Sequence, residues 1–336
     1  MPTASLQKIL KSKKYFILDL DGTLYKGSDI FPFTLPFLKQ LRATDRTPIF
    51  LTNNSSKSTQ EYFAKLKKLK FTKNINEIYT SGLATIEYLK AKKIKNIFLL
   101  ATPAVEKEFQ DAGLFLVKNS RNFPIATPDF EHQNGFNKTK NTTKSLHVQT
   151  QNVTISKHVN APSALPVKDP AAAVGQTRAK KSMPGHNRTT LPQAVVLTFD
   201  KTFTYAKFTQ AYEYIMAGVP FYASHPDTHL PLEGNNFHPD IGTLISAFQT
   251  ATGKLPTVIG KPEKTIYQQL QTHLNCKKSE MVMIGDRLYT DIKGAKDYGI
   301  TSVLTLSGET TPAMLKKSKT KPEFVIKDVG ETVKFL

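Results

Sequence analysis

Tyr15-Phe16-Ile17-Leu18-Asp19-Leu20-Asp21-Gly22-Thr23 holds the pattern from which the rest of the chain can be read. Four apolar residues run directly into a carboxylate. A short apolar run that ends in a polar residue is the signature of a strand buried in a parallel sheet, delivering a side chain at its C-terminal end. Asp21 follows two residues on, and Gly22 permits the turn that lets both carboxylates reach one cavity. Phosphoryl transfer calls for a nucleophile, a proton donor for the leaving oxygen, and positive charge around the transferring group. A carboxylate can attack phosphorus and form a mixed anhydride that water later cleaves. Taken alone, residues 19–23 read equally well as a strand ending in an Asp-Gly turn, so the other strand ends must decide.

Four further apolar runs end the same way. Pro48-Ile49-Phe50-Leu51 leads into Thr52-Asn53-Asn54, and Thr257-Val258-Ile259 into Gly260-Lys261. Met281-Val282-Met283-Ile284 leads into Gly285-Asp286, and 301–306 into Ser307-Gly308. Helical patterns at 57–69, 263–274 and 290–298 separate them. The alternation predicts an α/β fold, a Rossmann-like open parallel sheet whose ligands sit outside the carboxyl ends of the strands. Thr52 and Asn53 offer hydroxyl and amide donors to a phosphate oxygen. Ser55-Ser56 can open a helix whose free N–H groups favour anions. A plain helix cap explains one such residue but not the run 52–56. Lys261 precedes Pro262-Glu263, where a helix should begin with proline in its first turn; its ammonium would neutralise phosphate charge and restrain the nucleophile. Asp286 gives a metal ligand, with Asp291 one helical turn on. Mg²⁺ takes oxygen ligands and keeps several waters, so Asp19, the Asp21 carbonyl and Asp286 would suffice.

Between the second and third runs lies a tract, 83–225, with its own rhythm: helices at 83–92, 103–112 and 205–217, strands at 96–100, 114–117, 194–198 and 220–223. It predicts a second α/β domain inserted into a core made of 1–82 and 226–336. Within it, 122–191 is rich in Asn, Thr, Ser, Lys, Pro and Ala and has no apolar period. That composition cannot offset chain entropy, which predicts disorder. Its four histidines, His132, His147, His158 and His186, are too widely spaced to argue for a metal site.

The net charge of +19 raises the question of nucleic acid. Residues 121–190 carry ten Lys/Arg against three Asp/Glu, but only Phe123, Phe130 and Phe136 lie among them, all near one end. A single-strand platform interleaves aromatics with basic residues, so this reading is unfavoured. A positive field suits anionic phosphate esters equally. The lone Cys276 excludes an intramolecular disulfide and a Cys-rich zinc site. No apolar run approaches the roughly eighteen residues that cross a bilayer, and residues 1–14 lack the apolar stretch of a secretory signal. A cytoplasmic protein without a membrane partner is expected.

Taken together, these motifs resemble the haloacid dehalogenase (HAD) superfamily, whose four motifs are matched by 19–23, Thr52, Lys261, and Asp286 with Asp291. The chain is more closely similar to the subgroup of p-nitrophenyl phosphatases, nucleotide monophosphatases and pyridoxal phosphate phosphatases, in which a large α/β cap lies between the second and third motifs. Leu51-Thr52-Asn53-Asn54-Ser55-Ser56-Lys57-Ser58, Thr80-Ser81-Gly82, His225-Pro226-Asp227 and 285–292 carry that likeness, which spans nearly the whole chain except 122–191. The resemblance implies a HAD-like core with an inserted cap, and Mg²⁺-dependent hydrolysis of a small-molecule phosphate ester through an aspartyl-phosphate. Asp19 would be the nucleophile, and Asp21 the general acid and then base. Thr52 and Lys261 would hold phosphate beside Asn53, while Asp19, Asp21 and Asp286 would bind the metal with Asp291 behind them. Asp200 and His225 are the expected substrate-facing cap residues, and caps of this subgroup imply a possible homodimer. Thr198 departs from the glycine many relatives carry before the Phe-Asp pair, which leaves the substrate open among nucleoside monophosphates, sugar phosphates and pyridoxal phosphate. A phosphotransferase or mutase of the same superfamily is the alternative.

Overall fold

A computed structural model describes residues 3–117, 191–231 and 236–336. The expected disorder at 122–191 falls, apart from Leu191, outside the described residues.

The first sheet has six parallel strands in the order Phe324–Ile326, Thr301–Thr305, Met281–Gly285, Tyr15–Leu18, Thr47–Thr52, Ile78–Thr80. The strand that leads to Asp19 is central, with Leu18 level with both Ile284 and Phe50. Strand side chains alternate between faces, so each face gets its own core. Phe16, Leu18, Phe50 and Ile284 pack on one side with Leu10, Phe37 and Leu66 of the helices Thr3–Lys11, Thr34–Ala43 and Thr59–Lys68. Ile17, Ile49, Leu51 and Met283 pack on the other with Ile266, Tyr267 and Leu270 of Lys264–Leu274. Burial on both faces explains the unbroken apolar runs.

The second sheet is also wholly parallel, in the order Thr257–Val258, Phe221–Ala223, Ala194–Leu197, Asn96–Leu100, Phe115–Leu116. One expectation is corrected here. The run at 257–259 is not a strand of the first sheet. Thr257 and Val258 pair with Tyr222 and Ala223, and the ladder continues as Ile259 N donates to Ala223 O (3.0 Å) and Gly260 N to Ser224 O (2.8 Å). A Cβ at Gly260 would lie 2.4 Å from Ser224 O, so only glycine lets the two segments run this close. The helix Ile241–Thr252 joins the same layer: Ile241, Ile245 and Phe248 share a core with Phe98, Val195, Tyr214 and Phe221. Packing therefore carries the second layer past residue 225, the boundary expected from sequence, to residue 258.

Local chemistry moves two helix starts. Ser58, rather than Ser55 or Ser56, caps Thr59–Lys68, in a reciprocal capping box with Glu61. Pro262 lies outside the helix that follows it, which begins at Lys264 after Glu263, and the Lys261–Pro262 bond is cis.

Phe248 is fully buried, with its ring 4.5 Å from that of Phe208 and 5.3 Å from that of Phe221. Phe248→Ala should cost about 3–5 kcal/mol of unfolding free energy, read by urea denaturation. A loss near zero would mean that 241–252 is not packed into this layer.

Candidate active site

Three strands of the first sheet and one of the second deliver polar groups to one rim. Asp19 N still donates to Ile284 O at 3.0 Å, so Asp19 is the last residue held by the ladder. The chain then turns at Gly22, whose φ of +83° is the left-handed region that glycine tolerates, and closes as Gly22 N donates to Tyr25 O at 2.7 Å. Asp19 and Asp21 both line a cavity of about 280 Å³, together with Thr52, Asn53 and Lys261. The two-residue spacing read from the sequence therefore does bring both carboxylates to one space.

Lys261 sits 2.6 Å from Asp19 Oδ1 and 2.6 Å from Asp291 Oδ1, with almost none of its side chain exposed. Burial pulls its ammonium toward neutrality, but the charges of Asp19 and Asp291 outweigh burial and raise its pKa above the usual lysine range. Its position is fixed by Asn53. The Asn53 Oδ1 accepts from Lys261 N (2.9 Å), and its Nδ2 donates to Lys261 O (2.8 Å) and to both Asp227 oxygens (3.2 Å each). Asn53 thus works partly as a brace and lines the cavity as well. Thr52 also lines the cavity, and its hydroxyl accepts from Asn54 N at 3.2 Å.

Asp286 and Asp291 follow the neighbouring strand. A turn of π-helix at Leu288–Ile292, in which Ile292 N donates to Arg287 O at 3.2 Å, swings Asp291 back beneath the strand end. One oxygen from each of Asp19, Asp286 and Asp291 lies within 4.8 Å of the others. Both Asp291 oxygens are already engaged, Oδ1 by Lys261 and Oδ2 by Arg287 N at 3.1 Å. Asp286 differs: Oδ2 accepts from Glu309 N at 2.6 Å, while Oδ1 is buried with no hydrogen-bond partner. A buried carboxylate oxygen left open beside a second carboxylate fits a hard divalent cation. Burial, then the charges of Asp19 and Asp291, drive the Asp286 pKa well up, a cost that a bound cation would remove. The cradle is shaped by absent side chains, since a Cβ at Gly308 would lie 2.0 Å, and one at Gly22 2.3 Å, from Asp286 Oδ2. Burial, then the Asp19 charge, likewise raises the Asp21 pKa, which favours a protonated carboxyl there.

The two expected cap residues are not at the cavity surface. Asp200 is turned inward: Oδ1 accepts from Thr202 N (2.7 Å) and Thr202 Oγ1 (2.6 Å), and Oδ2 pairs with Lys207 at 2.6 Å. Its neighbour Lys201 lines the cavity instead. His225 is fully buried, 3.7 Å from Asp227 on one side and 3.7 Å from Asp240 on the other, and it is those two carboxylates that reach the cavity. Sequence reading also passed over Arg287, which lines this cavity and an adjoining one of about 670 Å³. Its position one residue after Asp286 was the available signal.

Two family models match the sequence, one described as haloacid dehalogenase-like hydrolase over residues 16–115 and a HAD-hydrolase-like one over residues 258–332. A solved 4-nitrophenylphosphatase from Thermotoga maritima is 31% identical, with 97% of this chain and 98% of that chain covered and a TM-score of 0.72. The chain belongs to the haloacid dehalogenase-like hydrolases, in the subgroup of p-nitrophenyl phosphatases, and is a phosphoric monoester hydrolase. An acid sugar phosphatase of Staphylococcus haemolyticus is 25% identical over 325 residues, 96% of this chain and 97% of that one. The glycerol-3-phosphate phosphatase of Gallus gallus is 26% identical over 308 residues, 90% and 82% of the two chains. A glycerol phosphate phosphatase from Mycobacterium tuberculosis, solved in complex with magnesium, shares the fold at 22% identity, with 97% of this chain and 77% of that chain covered and a TM-score of 0.68. No helix among the described residues is long and apolar enough to cross a membrane.

Gly308→Ala should push Asp286 off its seat and weaken divalent-cation binding by about ten-fold or more, measured by Mn²⁺ titration followed by electron paramagnetic resonance. Unaltered affinity would remove Asp286 from any cation site.

Proposed function

We propose that the protein is a Mg²⁺-dependent phosphatase that hydrolyses a small-molecule phosphate monoester through an aspartyl-phosphate on Asp19. The observation that carries this reading is the clamp of Lys261 between Asp19 and Asp291, beside an Asp21 whose carboxyl is biased toward its protonated form. The ammonium holds Asp19 through one carboxylate oxygen, and the residue lines the cavity. Attack by Asp19 on phosphorus forms a P–O bond to the carboxylate and breaks the bond to the leaving oxygen. Asp21 gives that oxygen its proton as the bond breaks. The resulting Asp21 carboxylate then takes a proton from water, whose oxygen attacks phosphorus, frees Asp19 and releases phosphate. Thr52, Asn53 and Lys261 offer hydroxyl, amide and ammonium donors to the phosphoryl oxygens.

Asp19, the main-chain carbonyl of Asp21 and Asp286 would hold Mg²⁺, which when bound supplies positive charge against the transferring phosphoryl group. Asp291 is a positioning residue: it holds Lys261 through one oxygen and Arg287 N through the other. The described residues of the second layer, 96–117, 191–231 and 236–258, would form the cap that covers the site and selects the ester. The names of the relatives, sugar phosphate, glycerol phosphate and nitrophenyl phosphate phosphatases, support a small ester as substrate.

Hydrolysis of p-nitrophenyl phosphate should require Mg²⁺ and stop in EDTA. Asp19→Asn should lower kcat by about 10³-fold or more. Asp21→Asn should lose about 10²-fold or more on alkyl phosphates and less on p-nitrophenyl phosphate, whose leaving group needs little protonation. Acid-quenched protein should carry phosphate on Asp19 alone. Phosphate found on another residue, or an Asp19→Asn variant with a tenth of the native rate, would overturn the covalent mechanism.

A further inference from the structure

The cavity over Asp19 receives three lysines that the chemistry above does not use. Lys57 and Lys65 come from the first layer, at the start and in the middle of the segment that follows Thr52, and Lys201 comes from the second. Lys65 is half-buried, with Nζ 4.1 Å from the centroid of the Tyr25 ring. Lys201 lies near the Phe199 ring, at 5.5 Å. Among the described residues none of the three makes an ion pair, although the protein pairs several other lysines.

The carboxylates that line the same cavity are mostly committed elsewhere. Asp19 is held by Lys261, Asp227 by the Asn53 amide, and Asp240 by Ile241 N at 2.6 Å. Asp21 feels the charge of Lys65 without pairing to it. Lys57 in turn repels Lys65: burial first, then the Lys57 charge, lowers the Lys65 pKa. Three lysines that line one cavity and make no ion pair among the described residues favour an anion there.

On the reading proposed above, the reacting phosphate would not need them, because Lys261, the Thr52 hydroxyl, the Asn53 amide and the cation held by Asp19 and Asp286 would already receive it. We infer that the substrate carries a second anionic group on its leaving-group side, a carboxylate or another phosphate, received by Lys57, Lys65 and Lys201. Because the first two lysines and the third come from different layers, the second anion would also draw the layers together over the reacting bond. The inference rests on the phosphatase reading and names the substrate class of that site.

The test compares kcat/KM, with Mg²⁺, for three series of two to four carbons: alkyl phosphates, phosphate esters of ω-hydroxy acids, and α,ω-diol bisphosphates. At least one doubly anionic series should exceed the alkyl phosphate of equal length by about ten-fold or more, the worth of a charge-assisted hydrogen bond. Which series wins distinguishes carboxylate from phosphate. Lys57→Gln with Lys201→Gln, and separately Lys65→Met, should collapse that ratio toward one. Lys67→Gln, an exposed lysine on the same helix outside the cavity, should not. A native ratio near one, with p-nitrophenyl and alkyl phosphates still hydrolysed, overturns the inference and leaves the phosphatase standing. An equal fall with Lys67→Gln would also overturn it, by showing a general field in place of a site. Failure of the native protein to hydrolyse any ester removes the phosphatase reading and the inference with it.

Discussion

The ammonium of Lys261 is the point on which the rest of the site depends. It is the positive member of a buried triad, 2.6 Å from each of two carboxylates. Removing one member of a buried ion pair typically costs about 3–5 kcal/mol, because a charge is left without compensation. Here the loss would leave two carboxylates, with a third from Asp286 within 4.8 Å. Such a cluster is tolerable only with cations supplied, and the fold supplies one covalently. The remaining charge imbalance, with the open Asp286 oxygen, is what makes a divalent cation the natural partner of this cradle.

The geometry of the two sheets follows from the same requirement. Lys261 is reached through a strand, Thr257–Val258, that belongs to the second sheet, yet its side chain works at the rim of the first. The chain crosses between layers within the residues around Gly260, where Ser224 O and Asn53 Oδ1 leave no room for a Cβ. Asn53 fixes the crossing from below through its two bonds to the Lys261 backbone. Ser55 adds another tie, bonding Ser224 Oγ at 2.8 Å and accepting from Phe199 N at 2.9 Å. The stretch 52–56, which the sequence offers as a phosphate loop, is therefore also the joint between the layers. A residue run that joins the layers and also lines the cavity links the placement of the second layer to that of the Thr52 and Asn53 side chains.

What could be read from the sequence, and what could not, divides along physical lines. The meeting of Asp19, Thr52, Asn53 and Asp286 was legible because each follows an apolar run, and parallel strands put such residues at one rim. Asp21 and Asp291 follow by their spacing from Asp19 and Asp286, whereas Lys261 arrives from the second sheet. The expected family was legible for the same reason. The sheet to which 257–259 belongs was not. A three-residue run, Thr257-Val258-Ile259, carries no periodicity, and the pairing is decided by where Ala223 and Ser224 lie, residues more than thirty positions away. The three-residue strands Ile78–Thr80 and Phe324–Ile326 were missed through brevity alone. Asp200 misled because a polar run, Asp-Lys-Thr, reads alike whichever side chain turns in. Thr202 and Lys207 satisfy the Asp200 carboxylate, and that leaves Lys201 outward.

That last exchange bears on how specificity is built here. A loop carboxylate that is fully hydrogen-bonded within its own turn cannot discriminate ligands, but it can hold the turn rigid. With Asp200 fastened by three donors, the backbone of Lys201 has little freedom, and its ammonium is presented from a fixed base. His225 is also turned inward: it lies buried between Asp227 and Asp240, 3.7 Å from each, and its Nδ1 accepts from Asp227 N at 3.4 Å, while the two carboxylates line the cavity. The two expected cap residues thus lie behind the cavity surface, and Lys201, Asp227 and Asp240 line it. Most of the carboxylates on this cavity are held by neighbouring groups, whereas Lys57, Lys65 and Lys201 make no ion pair among the described residues, so the charge it has left to offer is mainly positive.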